Sequence, residues 1–198
     1  MFKKKNHSIT QKSFISNEGE LLKAATAAQK EGNIEEALSY IDKAIGSYSR
    51  KGELNNAFPA YKKKGTYLFK AGKRDEAWKL YNQLITIYAT DYIFLPQIYN
   101  EMRKQLEKEK NFKEALDKAL LSEILTRKSQ IIQNAKYQNN SFDVDIKWEE
   151  DSILQKLSKK ADVDWDNIKK ILVQEYSKVN YQTNFIKIYE KIRAELKK

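Results

Sequence analysis

The chain has 198 residues, enough for a substantial core, and 37 basic against 27 acidic residues give it a net charge of +10. It contains no Cys, one His, six Gly and two Pro, with no Gly beyond Gly72 and no Pro beyond Pro96. Sandwiches, barrels and doubly wound sheets need turn residues at many corners, so this composition favours an all-α fold. It excludes disulfides, thiolate zinc sites and histidine clusters. We therefore expect no enzyme activity, catalytic residue, metal or cofactor.

Residues 1–17 form a basic, polar segment that holds the single histidine, His7, and we expect this segment to be flexible. No apolar run of the length of a secretory signal follows its lysines. No stretch of the chain approaches the roughly 18 apolar residues of a membrane-spanning helix. Together with the absence of Cys, these features favour a cytoplasmic location.

An internal repeat runs through the first two thirds of the chain. Its three copies are residues 31–38, 71–78 and 109–116. The first and third copies share five of eight residues, and an alanine recurs in each, at Ala37, Ala77 and Ala115. A fixed period of about 20–50 residues is typical of stacked units. The recurring alanine predicts a close approach of two antiparallel helices, where a larger side chain would push them apart.

Glycine and proline predict the boundaries of these helical hairpins. Gly32 and Gly72 each follow an apolar helix pattern, where the chain must turn through a left-handed conformation. Pro59 and Pro96 open the second and third units, and proline is favoured in the first turn of a helix. Each unit is therefore predicted to be one helix, a tight turn and a second helix.

The second unit carries the pattern of a known repeat family in Tyr61, Gly65, Gly72, Ala77 and Tyr81. This order of large, small, turn, small and large residues resembles the tetratricopeptide repeat. The resemblance covers roughly residues 18–128 and implies a right-handed superhelical stack of about three hairpins.

Three features depart from that family pattern. The spacings of 40 and 38 residues between the recurring alanines exceed the usual value of about 34, which implies longer helices. The third unit has Lys110 where the turn glycine is expected and Arg103 where a small residue is expected. The proline that usually closes each unit is missing.

The remainder of the chain continues the helical pattern. We predict repeats over residues 18–136, with an unusually long last helix, then a loop at 137–146. Residues 147–198 have the apolar spacing of three helices, which we interpret as a cap or bundle over the last repeat, or alternatively as a separate partner-binding domain. Asp164 is predicted to cap the second of these helices, because the surrounding acidic run lacks the glycine and glutamate of a calcium loop.

The family resemblance also implies where a partner would bind, because the first helices of such hairpins line a concave face. The nine residues that we expect to contact a partner are Thr26, Gln29, Lys62, Thr66, Phe69, Lys70, Asn100, Lys104 and Lys108. Leu22 and Glu107 map to the same face. Because lysine binds carboxylates as a point charge, the set suits an acidic ligand segment.

Two classes of function follow. The first is a non-enzymatic protein-interaction module (an adaptor, regulator or assembly factor) that binds a peptide or protein segment on the concave face. The alternative is a nucleic-acid or anionic-surface binder, indicated by the basic balance, the lysines at 3–5 and 62–64, and 12 tyrosines that could stack on bases. Binding to phosphates would weaken steeply with salt, which separates the two. The oligomeric state is left open.

Overall fold

A computed structural model describes residues 17–137, 153–176, 179 and 184–196 of the chain. Within these residues the secondary structure is helical without a strand, which confirms the all-α prediction. The helices are α1 (Glu18–Lys30), α2 (Ile34–Arg50), α3 (Phe58–Lys70), α4 (Arg74–Ile87), α5 (Leu95–Lys108), α6 (Phe112–Tyr137), α7 (Ile153–Ala161), α8 (Trp165–Tyr176) and α9 (Phe185–Leu196). None of them is long and apolar enough to cross a membrane.

The chain divides into two compact structural units, residues 1–77 and 78–198, and the division falls inside α4. From here on, "unit" means one of these two, and the three sequence copies are called repeats. In the first unit α1 packs on α2, and α2 packs on α3. Asn17 caps α1, since its side-chain oxygen accepts a hydrogen bond from the Glu20 amide at 2.7 Å. Ala37 is fully buried, as its predicted position between two helices requires.

The two predicted glycine turns are confirmed. Gly32 and Gly72 have φ angles of +86° and +74°, in the left-handed region. In both turns the amide of the next residue donates to the carbonyl five positions back, from Asn33 to Ala28 at 2.8 Å and from Lys73 to Leu68. This bond satisfies a carbonyl that the end of the helix leaves without an intrahelical partner.

The same turn occurs where the sequence pattern did not require it. Lys110, at the expected glycine position of the third repeat, has φ +59°. The Asn111 amide donates to the Leu106 carbonyl at 2.9 Å. Gly52 after α2 and Asp162 after α7 adopt the same conformation, at φ +70° and +56°. The third repeat therefore forms the left-handed turn without a glycine.

In the second unit α5 packs on α6, and α6 also packs against α7 and α9. Pro96 stands in the first turn of α5, as Pro59 does in α3, and both placements were predicted. Ala77 and Ala115 are fully buried, like Ala37. The predicted long helix is confirmed, because α6 runs for 26 residues.

Residues from α6 and from the three C-terminal helices share one apolar core. Leu120 of α6, Leu172 of α8 and Ile192 of α9 are fully buried in it. Asp164 caps α8, because its side chain accepts hydrogen bonds from the amides of Asp166 and Asn167 at 3.0 and 3.3 Å. That cap was predicted from the sequence.

Parts of the sequence interpretation differ from the structure or lie outside it. The apolar spacing of the last repeat helix and of the C-terminal helices includes Ile132 and Ile153, yet the two side chains are 39% and 47% exposed. Ile132 lies about 100° around α6 from the buried Ile131, so the two neighbours cannot share one face. Tyr137, the first residue of the predicted loop, is still helical. Residues 1–16 with His7, and residues 138–152, lie outside the described residues.

A buried carboxylate joins the start of α1 to the end of α2. Glu18 accepts hydrogen bonds from Ser47 Oγ at 2.5 Å and from Lys51 Nζ at 2.6 Å, and its side chain is 12% exposed. The bond from Lys51, followed by that from Ser47, lowers the pKa of Glu18 from 4.5 to about 2. The ionised form of Glu18 therefore stabilises the α1–α2 hairpin.

We expect the Lys110→Gly variant to raise the free energy of unfolding by about 0.5–1 kcal/mol, because glycine removes the steric cost of a left-handed side chain but loses more backbone entropy on folding. Urea unfolding measures the change. Lys113→Gly is the matched control, since Lys113 is exposed in the first turn of α6. That substitution should lower stability by a similar amount. Equal losses in both variants would contradict a left-handed turn at Lys110.

The hydrogen bonds of the ionised Glu18 carboxylate to Ser47 and Lys51 predict a pH dependence of stability. The folded-state pKa lies below the usual 4.5, so the stabilisation is complete above that pH and is lost as the pH falls towards about 2. Unfolding curves of the wild type and of Glu18→Gln should therefore differ most near neutral pH and converge in acid. A difference that stays constant over this range would exclude ionised Glu18 as the stabilising group.

Candidate interaction surfaces

A cleft between α1 and α3 lies in the first unit, and we call it the α1–α3 cleft. Lys63 Nζ on α3 donates to Thr26 Oγ1 on α1 at 2.6 Å, and Thr26 Oγ1 in turn donates to the Leu22 carbonyl at 2.8 Å. The cleft has a volume of about 430 Å³. Its lining residues are Gly19, Leu22, Lys23, Thr26, Ala27, Lys30 and Lys63. The cleft therefore combines a partly apolar wall with three lysines.

The charges of this cleft have one sign. Within the described part of the chain, no carboxylate belongs to its lining. Lys23 is bonded to Glu20 at 2.8 Å, an interaction that raises the pKa of Lys23. Lys63 is held by a neutral hydroxyl, and Lys30 has no ion pair with any described residue. Lys30 and Lys63 thus present positive charge that no carboxylate of the described residues pairs with.

The predicted site residues of this unit divide between different surfaces. Thr26 lines the α1–α3 cleft, whereas the other five do not belong to its described lining. On α3, Lys62 Nζ lies 5.9 Å from the Phe58 ring centroid, and Lys70 Nζ lies 5.6 Å from that of Tyr67. The remaining three, Gln29, Thr66 and Phe69, are half-buried.

The sequence interpretation missed three lysines of the cleft, Lys23, Lys30 and Lys63. A signal for two of them is present, because Gly19, Lys23 and Lys30 follow helical spacing with Thr26. Lys63 carries no such signal, since its direction depends on how α3 packs beside α1.

The three predicted residues of the second unit lie on α5. Asn100 accepts a hydrogen bond from Arg103 Nε at 2.9 Å. Lys104 pairs with Glu101 at 2.9 Å, and Lys108 donates to Gln105 at 3.3 Å. These contacts are all within one helix, and the carboxylate of Glu101 partly offsets the charge of Lys104.

A second depression in the first unit lies along α2, and we call it the α2 groove. Its volume is about 610 Å³. It is lined by Glu35, Leu38, Ser39, Asp42, Lys43, Gly46, Arg50, Lys64, Leu68, Lys73 and Glu76. Unlike the α1–α3 cleft, it carries both signs of charge. Two ion pairs cross it, Lys64 to Asp42 at 2.7 Å and Lys73 to Glu35 at 2.8 Å.

Gly46 in this groove is required neither by its backbone conformation nor by a close neighbour among the described residues. It lies inside α2 without a positive φ angle, and an added Cβ would meet nothing nearer than Arg50 Nη1, at 3.7 Å. A glycine in the middle of a helix costs about 0.5–1 kcal/mol relative to alanine. The residue lowers the stability of α2 and leaves the groove surface beside the Arg50 side chain without a side chain of its own.

A group of titratable side chains in the second unit surrounds Asp117 on α6. Its carboxylate accepts a hydrogen bond from Tyr189 Oη of α9 at 2.5 Å, and lies 3.0 Å from Lys118 Nζ and 3.7 Å from Arg193 Nε. Burial, followed by the bond to Asp117, raises the pKa of Tyr189 above its usual range. Burial likewise raises the pKa of Tyr99. The Asp117 group is therefore an anchor between α6 and α9.

No group of three or more potential metal ligands occurs among the described residues. Comparisons of the chain with protein-family models, with curated proteins and with solved structures find no match.

The Asp117 anchor predicts coupled losses of stability. Tyr189→Phe should lower the free energy of unfolding by about 1 kcal/mol, and Asp117→Ala by about 1–3 kcal/mol, because the latter removes the acceptor of a largely buried hydroxyl. The double variant should cost less than the sum of the two. Strict additivity in urea unfolding would show that the two side chains do not act together.

Proposed function

We propose that the chain is a non-enzymatic protein-interaction module that binds an acidic peptide segment in the α1–α3 cleft, as an adaptor, regulator or assembly factor would. The observation that carries this proposal is the charge of the cleft, where Lys23, Lys30 and Lys63 surround a partly apolar wall without a carboxylate in the described lining. An acidic segment with one or two apolar side chains complements both features.

Part of this proposal is that the repeats are tetratricopeptide-like and stack as a superhelix. Supporting features are the α1–α2 and α5–α6 hairpins, each with a fully buried alanine early in its second helix. The turns inside both hairpins are left-handed, at Gly32 and Lys110. Families of stacked hairpins bind extended segments on the face that their first helices form.

The directions of three successive lysines favour a peptide over nucleic acid. Lys62 lies near the Phe58 ring, Lys63 reaches Thr26, and Lys64 pairs with Asp42. Because successive helical residues are about 100° apart, the run is spread around α3 and does not form one basic track. A phosphate backbone is recognised by a denser stripe.

Binding of fluorescent peptides tests the proposal. The probe is a twelve-residue peptide of alternating Glu and Leu, with a Lys-and-Leu peptide for comparison. We expect the wild type to prefer the acidic peptide and the Lys30→Glu/Lys63→Glu variant to bind it roughly tenfold more weakly or worse. Lys113→Glu is the charge control, because that exposed lysine lies outside the cleft.

Two results would overturn the proposal. If the cleft variant binds the acidic peptide as tightly as Lys113→Glu does, the cleft is not the site. If random single-stranded oligonucleotides bind more tightly than the peptide, and this binding falls steeply between about 50 and 200 mM salt, the nucleic-acid alternative holds.

A further inference from the structure

The exposed stripe of α2 in the α2 groove has an unusual charge order. The stripe consists of Glu35, Ser39, Asp42, Lys43, Gly46 and Arg50. Its acidic members occupy the N-terminal half and its basic members the C-terminal half. Small residues lie between the charges in each half, Ser39 in the first and Gly46 in the second. With 3.6 residues per turn, all six lie within an arc of about 100° on the helix.

The stripe is complementary to its own reverse. If a second α2 lies antiparallel on the first with its midpoint between Asp42 and Lys43, Glu35 of one copy faces Arg50 of the other. By the same symmetry Ser39 faces Gly46, whereas Asp42 and Lys43 lie beside the two-fold axis, each next to its own copy. A two-fold interface requires such a self-complementary patch, because each residue must meet its partner from the same surface.

Small residues at the crossing point allow two helix backbones to approach closely. Gly46 is the least substituted position of the stripe, and no feature of the described fold requires it. Ser39, its opposite residue in the antiparallel arrangement, is small and exposed. Close approach at these positions would bring the charged side chains of the two copies within reach of one another. A contact with a second backbone gives Gly46 the role that the single chain does not supply.

The charges of the stripe are accessible for such contacts. The side chains of Glu35 and Asp42 are 67% and 54% exposed, although each already forms an ion pair with one lysine of its own chain. A carboxylate has room for further donors, so an intermolecular partner can join that lysine. Arg50 is exposed and has no ion pair with any described residue.

We propose that two copies of this chain associate through the exposed stripe of α2, antiparallel, with Gly46 and Ser39 at the crossing and Glu35 of each copy paired with Arg50 of the other. The interface is polar, so the dimer is weak and weakens further as salt screens its charges. It uses none of the residues that line the α1–α3 cleft.

Sedimentation equilibrium of the full chain, from about 1 µM to about 1 mM, tests the interface. The wild type should dimerise with rising concentration. Glu35→Arg and Arg50→Glu should each weaken association at least roughly tenfold, because each substitution puts like charges opposite one another at both ends of the interface. An equimolar mixture of the two variants should recover the dimer, since every changed residue then meets its opposite charge.

Two further variants separate the interface from effects on the fold. Gly46→Ala should raise the melting temperature by a few degrees but weaken the dimer, whereas Ser49→Ala, exposed on the same helix outside the groove lining, should leave the dimer intact. Lys73→Ala removes the intrachain partner of Glu35 and should also leave the dimer intact. Circular dichroism checks that each variant is folded.

Three outcomes would overturn the proposal. The first is a wild type that stays monomeric over the whole concentration range. The second is a mixture of the Glu35 and Arg50 variants that associates no better than either alone. The third is a dimer that tolerates Gly46→Ala as well as it tolerates Ser49→Ala.

Discussion

The left-handed turn at the end of a helix is the constraint on which the described structure depends. Among the described residues, five helix ends use it, at Gly32, Gly52, Gly72, Lys110 and Asp162. In each the next amide bonds to a carbonyl five positions back, which satisfies that carbonyl and ends the helix abruptly. The chain can then reverse within two or three residues. A following helix in close contact needs small residues at its start, which explains the fully buried alanines of the repeat.

The sequence revealed these turns where glycine marked them and less well elsewhere. Gly32 and Gly72 were predicted because no other residue adopts the left-handed conformation without strain. Lys110 was interpreted as a departure from the pattern, yet its backbone has the same form. The bond from Asn111 to Leu106 involves backbone atoms alone, so it forms with a lysine between them at a cost of about 1–2 kcal/mol. The backbone conformation at the end of these helices is therefore more regular than the residue types at the turn indicate.

The candidate site was harder to predict than the fold, because it depends on side-chain directions between helices. The family pattern nominated Thr26, which lines the α1–α3 cleft, but it nominated Lys62 where the structure places Lys63 in the cleft. Adjacent helical residues differ by about 100°, and the packing of α3 decides which of them faces α1. No periodic signal within α3 contains that information. The α2 groove was missed because a charged, exposed stripe resembles any solvated helix face.

The two surfaces of the first unit differ in what their charges permit. The lining of the α1–α3 cleft carries charges of one sign, which is why we propose an acidic partner of a different kind for it. The α2 stripe carries both signs in an order that is complementary to itself, so it suits a second copy. Because the surfaces share no lining residue, one does not block the other. A dimer formed through α2 would carry two acidic-segment clefts, and a partner with two such segments would bind it more tightly than either cleft alone allows. Weak contacts at each surface would then suffice for a stable assembly.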